Sequence, residues 1–287
     1  AAASISHTIV DRLGSRHVFL ALALSTMLLT AVGVFIDVAV ITVAPIAIII
    51  AERMGVAKFP MLLAMVGGGK CGNIISPNPN TIIAAENFDA PLSSVMAANI
   101  VPAIIGLLVT VYLIIPLMPK ERAAMAEGAE HIAHAKDESL PSFWASIAGP
   151  LVVIALLAMR PLAGIAIDPL IALPVGGIVG ICATRQWRRT AESVSYGLEK
   201  MSVVAVLLVS TGAIAGIIKA SSLTDLLISA LGQGESARLL LAPLAGTIMS
   251  AATASTTAGA TIASASFAPS ILASGISAVW GAALVNV

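Results

Sequence analysis

Charge is scarce in this sequence: Asp, Glu, Lys and Arg together make up 10% of 287 residues. Soluble domains carry nearer a quarter. A chain of this length that buried a large core would still need a polar shell around it, and too little charge is present to build one. The charges that do occur cancel, 15 basic against 15 acidic, so no bulk field points to nucleic acid or to an acidic partner. Cysteine is nearly absent. Cys71 and Cys182 lack metal-ligand spacing, and nothing supports a disulfide between them, which leaves them as small core residues. Also missing are HExxH, GxSxG and paired intramembrane aspartates, which argues against an intramembrane hydrolase. No ring of repeated filter residues speaks for a passive channel.

What fills the chain instead is apolar: 58% of positions, with a mean hydropathy of +1.01. A transmembrane helix needs about 20 apolar residues, and such runs recur. His17 to Ala51 is one long run, broken near its middle by Asp37 and Pro45. Phe59 to Asn87 is apolar at both ends, and Val95 to Met118 is uninterrupted. Lys120 to Pro141 is polar, holds two of the four histidines, and reads as a solvated linker. Phe143 to Met159 and Leu162 to Ala183 read as two spans joined by a tight Arg160-Pro161 turn, before a basic loop with Arg185, Arg188, Arg189 and Lys200. Met201 to Leu231 and Leu239 to Ser274 complete the series; the first is interrupted by Gly212, Gly216, Lys219 and Asp225. The 119–142 and 185–200 segments flank two spans and so share a side, and their Lys and Arg mark that side as cytoplasmic. The chain opens without Met and stops at Val287 within an apolar run, so it is expected to be a piece of a longer protein.

Two of these runs have irregular middles. Unpaired backbone groups in lipid cost several kcal/mol each, so irregular backbone at membrane depth must be buried in protein or line a wet cavity. Residues 67–81 hold a glycine run and then Ser76-Pro77-Asn78-Pro79-Asn80-Thr81, where proline removes amide donors and favours turns. The expected solution is a hairpin of two short helices. The helix starting near Thr81 would aim its free N–H groups and positive dipole end at the tip, where an anion would bind. A second such segment follows 180 residues on (81 to 261): Thr261-Ile262-Ala263-Ser264 parallels Thr81-Ile82-Ile83-Ala84. Thr253, Ser255, Thr256 and Thr257 precede it as Ser76, Asn78 and Asn80 precede the first. Paired interrupted segments point to a transporter site at a repeat interface. The competing reading of the Ser/Thr cluster is close helix packing by small residues.

Ionisable groups inside a bilayer are costly and functional by default. Asp37 lies twenty residues into its apolar run (17 to 37), and its expected role is proton carrier or cation ligand. Lys70 would neutralise a substrate carboxylate or snorkel to the interface. Lys219, Asp225 and Asp168 read as markers of breaks and loops.

Phe35-Ile36-Asp37-Val38, Ala44-Pro45-Ile46, the glycine run and Pro77-Asn78-Pro79-Asn80-Thr81-Ile82-Ile83-Ala84-Ala85-Glu86 together resemble the gluconate permease (GntP) family. Residues 202–216 and 253–264 resemble its C-terminal half. One departure is local: where some gluconate permeases carry His-Pro-Gly-Pro, this chain has Ser76-Pro77-Asn78-Pro79. The resemblance implies secondary transport of gluconate or a related small hydroxy-acid in a bacterial inner membrane. It implies no cofactor, with H+ as coupling ion and Na+ as the alternative.

The expected fold class is an all-α membrane protein, a multi-spanning helical bundle with broken helices, two re-entrant hairpins and an internal inverted repeat. Residues 1–118 would form the first repeat, with its hairpin near 59–87, and 119–142 a polar cytoplasmic linker. Residues 143–287 would form an incomplete second repeat, with its hairpin near 239–274. The substrate anion is expected between the hairpin tips, with Lys70, Asn73, Ser76, Asn78, Asn80 and Thr81 on one side. Thr253, Ser255, Thr256, Thr257 and Thr261 would face it, and Asp37 would take the coupling ion. Hydroxyls and amides suit a polyol acid. The partners implied are that anion and the lipid bilayer, without nucleic acid, and a homo-oligomer is compatible with the sequence. The alternative function is a cation/proton exchanger without organic substrate.

Overall fold

The structure is a computed structural model, and it describes residues 17–54, 57–118, 141–165, 167–222, 226, 229 and 235–286. Those residues are mostly helical, with no strand among them. The all-α class follows, as a chain so apolar must satisfy its backbone within each segment. The expected polar linker at 119–142 lies almost wholly outside the described residues, as do the side chains of Lys219 and Asp225. The chain divides into two compact units, residues 1–76 with 100–187, and residues 77–99 with 188–287.

The first unit contains α1 (Val18–Ala31), α2 (Ile36–Met54), α3 (Lys58–Asn73) and α6 (Ile100–Val109), which runs through a π-helical turn at Thr110–Ile114 into α7 (Ile115–Leu117). Helix α3 is its centre, packed by α1, α2 and α6. Its glycines explain how. A Cβ on Gly68 would fall on the Ala23 carbonyl, and one on Gly72 on the Met27 carbonyl and Thr30 hydroxyl. Four residues apart, the two glycines share a face, so α1 and α3 approach backbone to backbone as small-residue motifs allow in membrane helices. Thr30 Oγ1 donates to the Gly69 carbonyl at 2.7 Å and ties the crossing. Gly67 meets Thr110 at the π-turn in the same manner. The glycine run therefore lies within a helix and serves packing. The expected break over 67–81 is confined to residues 74–78, between Asn73 and Pro79.

The same unit holds the hairpin of α8 (Phe143–Ala163) and α9 (Pro169–Thr184), which pack against each other where Gly149 meets Gly176 and Gly180. The first helix runs past Arg160-Pro161 to Ala163: Gly164 then has φ +71, and Asp168 caps α9 by accepting the Leu170 N–H at 2.8 Å. Asp168 is a capping loop residue. Large apolar side chains cover the outside of α6 and of this hairpin, including Val101, Ile105, Leu108, Leu170, Ile171 and Ile178, all exposed. The stretch Leu92–Leu117 is long and apolar enough to cross a membrane.

The second unit contains α4 (Pro79–Asn87), α5 (Leu92–Ala98), α10 (Thr190–Ala220), α11 (Glu235–Thr253), α12 (Thr256–Ala273) and α13 (Ala278–Val285). Helix α12 is its axis, packed by α4, α10, α11 and α13. Its core comprises Phe88, Phe267, Ile262, Ile271 and Val285, each at most 2% exposed. Helix α10 runs unbroken through Gly212 and Gly216, whose missing Cβ atoms face open space. It also takes in most of the expected basic loop, leaving only 185–189 outside α9 and α10. Leu, Val and Ile flanking those glycines are enough to carry the helix past about 1 kcal/mol of propensity loss at each.

A two-residue turn joins α11 to α12, with Ala254 in the left-handed region at φ +50. That conformation costs a residue with a Cβ about 1 kcal/mol. Ala254→Gly is therefore expected to raise the thermal unfolding midpoint of the detergent-solubilised protein, by a stabilisation of about 0.5–1 kcal/mol.

Candidate functional site

Two helices of the second unit begin side by side. Asn78 caps α4: its Oδ1 accepts the Thr81 N–H at 3.1 Å, and Pro79 at the first helical position has no N–H to leave unpaired. Ser255 caps α12 in the same way, its Oγ accepting the Ala258 N–H at 3.2 Å. The first amides of a helix have no intrahelical partner. After capping, those of Asn80, Thr256 and Thr257 are the donors at these starts that the helices do not use themselves.

The two starts are in contact. Asn80 Nδ2 donates to Thr256 Oγ1 at 3.3 Å, and at the other end of α4 Asn87 Nδ2 donates to Ser264 Oγ at 2.9 Å. Both residue numbers rise together, from 80 with 256 to 87 with 264, so α4 and α12 run parallel. Their positive dipole ends therefore coincide, and each contributes a partial positive charge.

Around this point the structure gathers most of the expected residues. Asn78, Asn80 and Thr81 are buried, each at most 3% exposed, and Thr261 is buried one turn into α12. Thr253, Ser255, Thr256 and Thr257 are half-buried. Thr253 and Thr261 donate their hydroxyl protons to backbone carbonyls of Met249 and Thr257, both at 2.8 Å. Their oxygens are thereby left as acceptors. The arrangement offers amide donors for a carboxylate and hydroxyl acceptors for a ligand's own OH groups.

The remaining expected residues belong to the first unit. Lys70 stands in the last turn of α3, where a cation suits the negative end of the helix, and Asn73 closes that helix. Ser76 Oγ donates to the Asn73 carbonyl at 3.0 Å in the turn that follows. Asp37 is not in the middle of a helix. It sits in the first turn of α2, after a break at 32–35 with Gly33 at φ +97, and it is exposed. The break resolves the cost that an acid in a continuous apolar run would carry, because a carboxylate is favoured at a helix start. The Cβ that Gly69 lacks would lie 3.1 Å from Ile36, so the start of α2 packs beside the α3 turn bearing Lys70.

The profile of the GntP family of permeases matches residues 1–280. The chain belongs to that family. It is an integral membrane transporter. An uncharacterized transporter of Haemophilus influenzae (strain ATCC 51907 / DSM 11121 / KW20 / Rd) is 48% identical to the permease over 286 residues, covering 100% of this chain and 68% of its own. A gluconate permease of Pseudomonas aeruginosa is 25% identical over 173 residues, 56% of this chain and 37% of that protein. No solved structure matches the permease.

Sequence reasoning missed two residues. Asn286 ends α13, is 1% exposed, and donates to Thr81 Oγ1 at 2.9 Å. Asn87 pins the far end of α4 to α12. A lone asparagine in the otherwise apolar stretch 279–287 was a signal for the first. Nothing local distinguished the second, since its partner Ser264 reads equally well as helix packing.

Proposed function

We propose that this permease imports gluconate or a related small hydroxy-carboxylate across the bacterial inner membrane, by proton symport. The observation that carries the reading is the pair of parallel, capped helix starts at Pro79 and Thr256, joined by the Asn80–Thr256 hydrogen bond. A carboxylate there would accept from the amides of Asn80, Thr256 and Thr257. The substrate's hydroxyls would donate to Thr253 and Thr261 oxygens, a set that suits a polyol acid better than a bare ion. Asp37 is proposed to take up the coupled proton, and Na+ is the alternative ion. The gluconate permease relative supports the substrate class.

The test is uptake of labelled gluconate into proteoliposomes holding the complete parent protein, with and without an inward proton gradient. Gradient-driven accumulation is expected, and Asp37→Asn is expected to abolish it while gluconate binding persists. Absence of uptake for gluconate and for related hydroxy-acids would overturn the substrate. Exchange of Na+ for H+ without any organic anion would replace the reading with a cation exchanger.

A further inference from the structure

The end of α13 brings an amide to the start of α4 that capping alone does not require. Asn286 Nδ2 donates to Thr81 Oγ1 at 2.9 Å across 205 residues of sequence. Thr81 in turn gives its N–H to Asn78 Oδ1 at 3.1 Å, and its hydroxyl lies 3.4 Å from the same oxygen. The three side chains form one line of donors, from Asn286 through Thr81 to the cap of α4. All three are buried, with Thr81 at 0% and Asn286 at 1% exposure.

The position of Asn286 is held by its helix. A Cβ on Gly281 would strike the Phe88 ring, and one on Gly246 would strike the Val285 carbonyl. Helix α13 thus lies flush against α4 and α11 at two glycines, and its last residue has little room to move. Phe88, Gly281 and Val285 secure this packing without the asparagine.

We infer that Asn286 is a positioning residue for transport: it acts through Thr81 to fix the cap of α4 and the direction of that helix's free amide. Because the Thr81 oxygen accepts from Asn286, its own proton turns to the cap oxygen, Asn78 Oδ1. Without the Asn286 donor, the Thr81 hydroxyl is free to rotate and the start of α4 loosens against α12. The consequence falls on ligand affinity rather than on the core. The transport half of this inference rests on the proposed reading of the twin helix starts as the anion site; the positioning half does not.

The test is a double-mutant cycle in the complete parent permease, pairing Asn286→Ala with Thr81→Val. One readout is uptake of labelled gluconate into proteoliposomes, and the other is amide hydrogen exchange of the segment 79–87 in detergent. Asn286→Ala is expected to raise the KM for gluconate about tenfold, as the loss of a buried hydrogen bond does, with Vmax little changed and with faster exchange in the segment. Thr81→Val is expected to do the same, and the double variant no more than Thr81→Val alone. Thr81→Ser, which keeps the hydroxyl, is expected to keep the exchange rate of the segment at that of the parent. Additive effects in the double variant, or unchanged exchange in Asn286→Ala, would overturn the inference. Faster exchange with an unaltered KM would overturn its transport half. If the parent takes up no gluconate, the proposed substrate fails, and the exchange cycle decides the positioning role by the same criterion. If Asn286→Ala does not fold, equal exchange in Thr81→Ser and Thr81→Val overturns it from the other side of the bond.

Discussion

Gly72→Val is expected to leave almost no folded permease. The added side chain would enter the space of the Met27 carbonyl and the Thr30 hydroxyl, both on α1. Neither is the loose end of a flexible chain. The carbonyl is helix backbone, and the hydroxyl is already spent on the Gly69 carbonyl at 2.7 Å. Relief requires α1 and α3 to separate, and separation also opens the contact at Gly68 against Ala23, one turn away. Overpacking a well-filled core costs about 1–3 kcal/mol where side chains can adjust. With backbone as the obstacle the loss is expected above about 3 kcal/mol, a large part of the 5–15 kcal/mol that holds a typical protein folded. Size-exclusion profiles of detergent-solubilised variants measure this directly. Gly177→Ala is the control: nothing lies within 4 Å of the added Cβ, so it is expected to be neutral or stabilising by up to about 1 kcal/mol. Equal recovery of both variants would show that the α1–α3 crossing is not so close.

The glycine run also shows what the sequence made legible and what it hid. Scarce charge and repeated apolar runs gave the class, and the Pro77-Asn78-Pro79 segment located a true break, because proline and an asparagine cap act within a few residues. Gly67 to Gly72 looked like part of that break, but a glycine's partner decides its role. For Gly68 and Gly72 the partner is the Ala23 to Thr30 stretch of α1, and for Gly67 it is Thr110, all far away in sequence. Gly212 and Gly216 misled for the same reason, since α10 passes straight through both. Asp37 stood out in its apolar run, yet its surroundings were not readable. An acid in an apolar run and an acid at a helix start differ only by the turn at 32–35, and Gly33 was its one local sign. At the site, the caps were legible and the direction of the two arms was not. A short similarity between residues 81–84 and 261–264 says that two segments are alike, whereas the Asn80–Thr256 and Asn87–Ser264 bonds say that they run parallel.

Asn80→Asp puts that parallel arrangement to its sharpest test. The substitution keeps the shape of the side chain and can keep its contact, with the Thr256 hydroxyl now donating to the carboxylate instead of accepting from the amide. It adds a fixed negative charge where two helix starts meet. Each start favours a nearby anion by about 0.3–1 kcal/mol, up to about 2 kcal/mol where partly buried, and Asn80 is only 3% exposed. The new carboxylate is therefore tolerated as an internal counter-ion, and the folded protein is expected to survive. Transport is not. An anionic substrate would enter a field already neutralised and meet a like charge within contact distance, which is worth about 4 kcal/mol at the effective dielectric of a partly wet site. Uptake of gluconate, the proposed substrate, is expected to fall at least about a hundredfold; gluconate is expected to raise the unfolding midpoint of the parent and not that of Asn80→Asp, while unfolding without gluconate is little changed. Stability kept and anion binding lost is a combination that a damaged fold does not produce. A site built for a cation gives the opposite sign, because the same carboxylate would supply it with a ligand. Asn80→Asp protein that binds gluconate as the parent does would remove the twin helix starts from the transport path.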